Sequence, residues 1–424
     1  MFCQSHRALL CLITLCSYAS TAFGRDVEVR FSPNGGVAQA IHETLDQTTS
    51  TLAIAMYSFS DRSLQSKIEE LARRGIKIRL LLDDARAKAA LADRLEAAGV
   101  DVRYVMPVMH HKFVLADTQF QENQATGTVV TGSANWSTRS DTDYDEDLLI
   151  VRDEPGMLRA FQAEFDYLWA HARDYTGPAV VESPTPITAN SDPNWVFTSA
   201  NFELYHAREL WHFRPMVAPE AGVAGTKIIN AIDSAHQSIK IATTHFRRRD
   251  VANALRRAMV DRGVRVTLIT DQQEYRAGSI PAEDPQGLHL EEALVRDGAD
   301  VRYKTYMYRW HAGKALQMHS KYLIVDDQLV LTGSFNWSNN SETGSFENLH
   351  VWTDDSVVSS YRNNFQKISR YGDDGNGSSD RFHQLLDEIR AQDGRAPCLF
   401  QPITLTGQEL DRLRRAYRSG ACTP

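Results

Sequence analysis

Two stretches decide the architecture: His110-His111-Lys112-Phe113-Val114-Leu115-Ala116-Asp117 and His319-Ser320-Lys321-Tyr322-Leu323-Ile324-Val325-Asp326. Each is followed by Gly-Ser-x-Asn-Trp-Ser, Gly132–Ser137 and Gly333–Ser338, and then by a glutamate, Glu146 or Glu347. The interval from Asn135 to Glu146 equals that from Asn336 to Glu347. One His on a strand is usually a packed or surface residue, and Gly-Ser-x-Asn alone is only a turn. Ordered recurrence of the whole set is not explained that way. Each copy supplies an imidazole, an ammonium, an amide and a carboxylate. Face to face they would form one site suited to a tetrahedral oxyanion, which points to phosphodiester cleavage.

Strand geometry divides the labour. Side chains alternate along a strand, so His110 and Lys112 share a face while Asp117 lies on the other. The same holds for His319, Lys321 and Asp326. Histidine and lysine are therefore the reactive pair, and Asp117 and Asp326 are structural.

The duplication runs beyond these stretches. Ala53–Phe59 matches Ile239–Phe246, each an apolar run after an amphipathic segment. Helical periodicity covers Leu64 to Arg74 and Val251 to Arg262, ending at Gly75 and Gly263. Ile76–Asp83 matches Val264–Asp271, and Gly99–Tyr104 is nearly identical to Gly298–Tyr303. This order predicts an α/β fold with two similar domains, each a central mixed sheet flanked by helices. Domain 1 is placed at 25–172, a Pro/Ser/Thr-rich linker at 173–200, domain 2 at 201–370 and a C-terminal extension at 371–424. Thr406 and Glu409 form a capping box for a tail helix. The Gly/Asp/Asn/Ser run at 372–380 lacks the turn glycine and terminal Glu of an EF-hand, so it reads as a loop. Two insertions adjoin the motif strands: Thr118 to Gly127 in the first copy and Lys304 to Lys314 in the second. Tyr306, Tyr308 and Trp310 in the latter are candidates for a substrate rim at a lipid interface.

Two copies of His-x-Lys-x-x-x-x-Asp followed by Gly-Ser-x-Asn resemble the phospholipase D superfamily, over about residues 26 to 370. The Tyr57-Ser58-Phe59 strand end is similar to its bacterial nuclease-like and phospholipase members. The resemblance implies a pseudo-twofold pair of domains with the motifs meeting at their interface. It also implies cleavage through a phosphohistidine without metal or cofactor, with His110 as nucleophile and His319 as general acid and base. Lys112, Lys321, Asn135, Asn336, Ser133 and Ser334 are then expected to bind phosphate, and Glu146 and Glu347 to orient the imidazoles. Two departures bear on the substrate: Asp147 stands where the second copy has Asn348, and His245-Phe246 where the first has Ser58-Phe59.

Composition bounds the partners. A net charge of −8 gives no long-range attraction to nucleic acid or anionic lipid, although local basic patches remain open. The expected partner is a phospholipid at a membrane surface, bound by a monomer with an internal pseudo-dimer. Alternatives are a secreted nuclease, for which Arg247-Arg248-Arg249 argues, and a non-catalytic phosphate- or lipid-binding protein, against which the intact motifs argue.

The apolar run Ala8–Leu15 after His6-Arg7, with small residues at Ala19, Ser20, Ala22 and Gly24, reads as a signal peptide over 1–24. It is short for a membrane anchor. Secretion or a periplasmic location is therefore expected. Of five cysteines, Cys3, Cys11 and Cys16 leave with that segment, and Cys398 and Cys422 remain as an even pair. A bridge between them would contribute about 3 kcal/mol in an oxidising compartment. Mass spectrometry of the exported protein should show a start near Arg25 and a mass two hydrogens short. Retained Met1 with two alkylatable thiols would reject both readings.

Overall fold

A computed structural model describes residues 26–83, 88–122, 124–182, 192–276, 287–309, 316–370 and 378–418. The signal-peptide reading, Trp310 and Cys422, and with it the disulfide, lie outside these residues.

Two eight-stranded mixed sheets form the frame. In the first, the strand order is Asp26–Ser32, Glu146–Arg152, Ala125–Gly132, Lys112–Phe120, Thr51–Met56, Lys77–Leu82, Asp101–Tyr104 and Arg173–Asp174. The second repeats it with Trp195–Phe197, Asn348–Trp352, Leu329–Gly333, Lys321–Val325, Ser238–Thr243, Arg265–Asp271, Asp300–Met307 and Leu399–Leu405. In each, only the run from the fifth strand to the seventh is parallel. Helices supply the crossovers that parallel neighbours require: Arg62–Arg73 and Ala89–Ala97 in the first half, Arg249–Arg262 and Leu290–Arg296 in the second.

Strand alternation builds three apolar layers. Leu52, Ile54 and Met56 enter the outer core of the first half, with Leu80 and Leu82. Ala53, Ala55 and Leu81 face the opposite way, into a central core shared with Ala242, Ile269 and Tyr322 of the second sheet. The helices Pro155–His171 and Asp355–Arg370 fill that central layer through Phe161, Phe165, Trp169, Tyr361 and Phe365. Ile239, Ile241 and Leu268 lie in the outer core of the second half. The two halves thus share one interior, so the strands that carry the motifs are fixed relative to each other.

The boundaries differ from expectation in two places. Arg173–Asp174 closes the edge of the first sheet and Trp195–Phe197 opens the second, so the expected linker of 173–200 gives its ends to the two sheets. Leu399–Leu405 pairs with Asp300–Met307, so the C-terminal segment completes the second sheet rather than extending beyond it. That pairing also explains the second insertion: Lys304 to Met307 continue a strand with a covered edge. Thr118 to Gly127 likewise prolongs a hairpin. The capping box at Thr406 and Glu409 starts the helix Gly407–Ala416. No helix among the described residues is long and apolar enough to cross a membrane.

Asp117 lies at the irregularity within the strand Lys112–Phe120 and Asp326 directly after Lys321–Val325, each at φ 51°, and both carboxylates reach the segment that leads into the neighbouring strand. Asp117 accepts hydrogen bonds from the backbone N–H groups of Thr49, Ser50 and Thr51 at 2.7 to 2.9 Å. Asp326 does the same for His236, Gln237 and Ser238. Burial alone would raise the Asp117 carboxyl, but the hydroxyl of Ser50 and these amides outweigh it and leave it below the ordinary value. A depressed acid stabilises the fold fully above its unfolded value, and that contribution is lost as pH falls through the folded one. Asp117→Ala should therefore cost about 2 kcal/mol at neutral pH. Urea unfolding should show the gap between the variant and the parent protein narrowing as pH falls below about 4, where the unfolded chain's carboxyl begins to protonate, and closing as pH falls through the still lower folded value.

Candidate active site

The two motifs meet through crossed backbone pairing. Val108–Met109, leading into His110, pairs in parallel with Ser345–Phe346 of the other half, and the His110 N–H donates to the Phe346 carbonyl at 3.0 Å. Symmetrically, Met318 bridges Asp145, and the His319 N–H donates to the Asp145 carbonyl at 2.9 Å. Asp83 and Asp271 hold the preceding residues, accepting from the N–H groups of Met109 at 3.0 Å and Met318 at 2.9 Å.

The side chains cross in the same way. His110 Nδ1 lies 2.8 Å from Glu347 Oε2, and His319 Nδ1 lies 2.8 Å from Glu146 Oε2. Each imidazole is therefore held by the glutamate of the opposite half, a connection the sequence did not disclose. With Nδ1–H donated to the carboxylate, Nε2 is the remaining nitrogen of each ring. Lys112 Nζ donates to the His110 carbonyl at 2.5 Å, and Lys321 Nζ to the His319 carbonyl. Lys321 also reaches Thr244 Oγ1 at 3.3 Å, whereas Lys112 lies 5.1 Å from the centre of the Tyr57 ring. That ring also packs edge-on to His110, at 4.6 Å between centroids. Tyr57 and Thr244 are site residues beyond those assigned from sequence. Their signal was the strand end just before Ser58 and His245.

The Gly-Ser-x-Asn turns abut the glutamates for a steric reason. Gly132 and Gly333 have φ of 149° and 152°, and a Cβ there would sit 2.2 Å from the Asp147 carbonyl and 2.3 Å from that of Asn348. Asn135 and Asn336 follow, half-buried. Ser133 and Ser334 do not face the cleft as expected of phosphate ligands. Both are fully buried, and Ser334 donates its hydroxyl to Glu347 Oε2 at 2.6 Å. The Ser133 hydroxyl accepts from the Asp147 N–H at 2.9 Å and helps to lower the Glu146 carboxyl. They buttress the carboxylates.

Two further expectations are corrected. Tyr306 and Tyr308 are each 1% exposed and form no rim. Tyr306 donates its hydroxyl to Asp145 Oδ2 at 2.5 Å, beside the Lys304–Asp145 ion pair, while Tyr308 stacks on Tyr417. The arginine run is not a free basic patch. Arg248 is fully buried against Glu342 and Asp250, and Arg247 is paired with Glu274.

Electrostatically the site is strained by burial. His110 is held well below the ordinary imidazole value by desolvation, then by Lys112, Lys321 and His319. His319 is lowered by desolvation, then Lys321 and Lys112. Desolvation brings Lys112 down to about 7 and Lys321 to about 8, against the pull of the glutamates. It likewise raises Glu146 to about 8 and Glu347 to about 7. A bound oxyanion would favour the charged lysines and the protonated imidazoles. Neutral imidazoles over paired ammonium groups can attack phosphorus and shuttle protons. Among the described residues no cluster of His, Cys, Asp or Glu could hold a metal ion.

A family model described as "Cardiolipin synthase, PLD-like domain" matches residues 41–169 and 228–369. Mitochondrial cardiolipin hydrolase of Xenopus laevis is 34% identical over 124 residues, covering 28% of this chain and 54% of that protein. The one from Danio rerio is 28% identical over 170 residues, covering 39% and 64%. A phospholipase D of Rickettsia conorii is 26% identical over 132 residues, covering 30% and 62%. The chain thus spans little more than half the length of the curated relatives it matches. In fold it is similar to phosphatidylserine synthase of Haemophilus influenzae, with TM-score 0.56, 16% identity, and 80% and 85% of the two chains covered. It is also similar to a polyphosphate kinase of Porphyromonas gingivalis, with TM-score 0.53, 14% identity, and 81% and 50% covered.

The lysine values have a measurable consequence. Tungstate, a dianion across this range, should bind progressively more weakly as pH rises through 7 to 8, because Lys112 and Lys321 lose their protons there. Lys112→Arg, charged at every accessible pH, should move that loss upward. Calorimetric titration at several pH values checks both, and affinity flat from pH 6 to 9 would contradict the assignment of the lysines as the anion's counter-charges.

Proposed function

The chain belongs to the phospholipase D-like family, and on that premise we propose that it hydrolyses glycerophospholipids to phosphatidate and a free head-group alcohol through a phosphohistidine. The observation that carries the reading is the crossed pair of His–Glu contacts over two buried lysines. The lipid substrate is supported by the names of the relatives, cardiolipin hydrolases and a phospholipase D.

In the proposed reaction His110 Nε2 attacks phosphorus, its Nδ1–H retained by Glu347. The P–O bond to the head group breaks, and the leaving oxygen takes a proton from His319 Nε2. The substrate's negative charge raises His319 enough to hold that proton, offsetting the lysines that lower it. Lys112 and Lys321 neutralise the non-bridging oxygens, which is work a metal would otherwise do. His319, now neutral, removes a proton from water. The resulting hydroxide displaces His110 from phosphorus and releases phosphatidate. Of the arginine run that argued for a nuclease, Arg248 is buried against internal carboxylates and Arg247 is tied to Glu274, so nucleic acid becomes an outcome of the test rather than a second proposal.

The test is hydrolysis of phosphatidylcholine, cardiolipin and single- and double-stranded DNA side by side in excess EDTA. Lipid cleavage is expected. Cleavage of DNA alone, or activity restored only by a divalent ion, would overturn the proposal. The roles separate on an activated diester whose leaving group needs no acid. His319→Ala should accumulate an acid-labile adduct on the peptide containing His110, and His110→Ala should form none. An adduct on the His319 peptide would reverse the assignment.

A further inference from the structure

The two halves differ most sharply beside the site at the strand ends that carry Tyr57 and Thr244. Phe59 bridges Trp136 and Phe246 bridges Trp337, and the following N–H groups, Ser60 and Arg247, donate to the same tryptophan carbonyls at 2.8 Å. Ser58 and Ser60 of the first half therefore correspond to His245 and Arg247 of the second. Two small hydroxyls are replaced by an imidazole and a guanidinium at alternate positions on a short extended segment, which places them on one side.

A single carboxylate fastens both. Glu274, 3% exposed, accepts from His245 Nδ1 at 2.9 Å and Arg247 Nη2 at 2.7 Å on Oε1, and from Arg247 Nε at 2.9 Å on Oε2. The equivalent position in the first half, three residues after Asp83, is Arg86 rather than an acid. Burial would raise Glu274, but the contacts with His245 and Arg247 outweigh it and bring the carboxyl down to about 2, so it is ionised throughout the working range. His245 is thus built like His110 and His319, with Nδ1 committed to a glutamate and Nε2 left to work. Unlike them it stays open, with 29% of its side chain exposed, and Arg247 with 34%.

Its place is beside the second half of the site. His245 follows Thr244, whose hydroxyl accepts from Lys321 at 3.3 Å, and its charge is felt by His319. On the proposed reaction His319 protonates the leaving head group, so a ligand at His245 belongs to that side. We propose that His245 and Arg247, clamped by Glu274, form a second anion subsite that selects phospholipids whose leaving head group carries a further phosphate. This rests on the lipid-hydrolase reading above. A guanidinium and an imidazole presented side by side, with one buried carboxylate between them, suit a phosphate better than a choline ammonium. The first half, with serines at both positions, offers no such pair.

The experiment compares kcat/KM for cardiolipin, whose head group bears a second phosphate, with that for phosphatidylcholine in the same mixed micelles. Bis(4-nitrophenyl) phosphate reports the chemistry alone, and the wild type is set against His245→Ala, His245→Gln and Arg247→Gln. Loss of a charge-assisted contact predicts that the cardiolipin-to-phosphatidylcholine ratio falls about tenfold in each variant, mainly through KM for cardiolipin. An unchanged ratio, or the same proportional loss on all three substrates, would overturn the subsite. His245→Gln guards against a folding artefact, because it can keep a donor to Glu274 while losing the cation. A wild type that cleaves the small diester but neither lipid sinks the lipid reading itself, before any variant is compared.

Discussion

Everything at the site depends on backbone exchanged between the two halves. The strand ends before His110 and His319 do not finish in their own sheets; they pair with the segments before Glu347 and Glu146 across the interface. Backbone hydrogen bonds have narrow distance and angle preferences, so this pairing fixes where each motif begins. It also sets each imidazole opposite the other half's carboxylate. Neither half could therefore assemble a complete His–Glu pair alone, and the shared apolar layer of Phe161, Phe165, Tyr361 and Phe365 keeps the exchange in register. Duplication here is a condition of the chemistry.

The same exchange admits asymmetry without spoiling the symmetry of the reacting groups. Before Glu347 stands Phe346, packed on Phe202 and Phe213. Before Glu146 stands Asp145, buried between Lys304 and Tyr306. After the glutamates come Asn348, which contacts His111 at 3.2 Å, and Asp147, which accepts from Thr332 at 2.7 Å and Tyr361 at 2.8 Å. Asp145, Asp147 and Asn348 thus each have partners from the opposite half, which offsets part of the cost of burying them. One half anchors its glutamate by an apolar wedge and the other by an ion pair. Two nearly identical imidazoles can in this way differ in surroundings, which is what separate roles in one reaction require.

Much of this was legible from residues alone. The repeated order of elements gave the two α/β domains, because periodicity and glycine stops are local properties. The face shared by His110 and Lys112, and the opposite face of Asp117, followed from alternation. What sequence could not reveal were contacts made across the interface, since nothing in the spacing of Glu146 says that it serves His319 rather than His110. Ser133 and Ser334 were misread for that reason: a hydroxyl beside a glycine suits a phosphate, but here the glycine's role is to let the backbone of Asp147 and Asn348 close in, which turns the serine inward. Tyr306 and Tyr308 form no rim because residues distant in the chain bury them, Asp145 of the first half against Tyr306 and Phe400 and Tyr417 of the C-terminal segment against Tyr308. Amphipathic composition reports a surface only when nothing returns to bury it.

Burial is also what gives the site its reactivity. Two lysines, two glutamates and two histidines in water would be a charged, unremarkable set. Removed from water, the lysines and glutamates are drawn toward neutrality, to values of about 7 and 8 for both kinds, and the imidazoles toward the free base. Groups poised so close to one another exchange protons at little cost when an anion arrives. On the proposed reaction a phosphate diester adds a negative charge beside the lysines and raises the proton affinity of the imidazole on its leaving side. Substrate charge and protein desolvation then act on the same groups in opposite directions, and in that reaction it is their balance that would set one buried base as nucleophile and the other as acid.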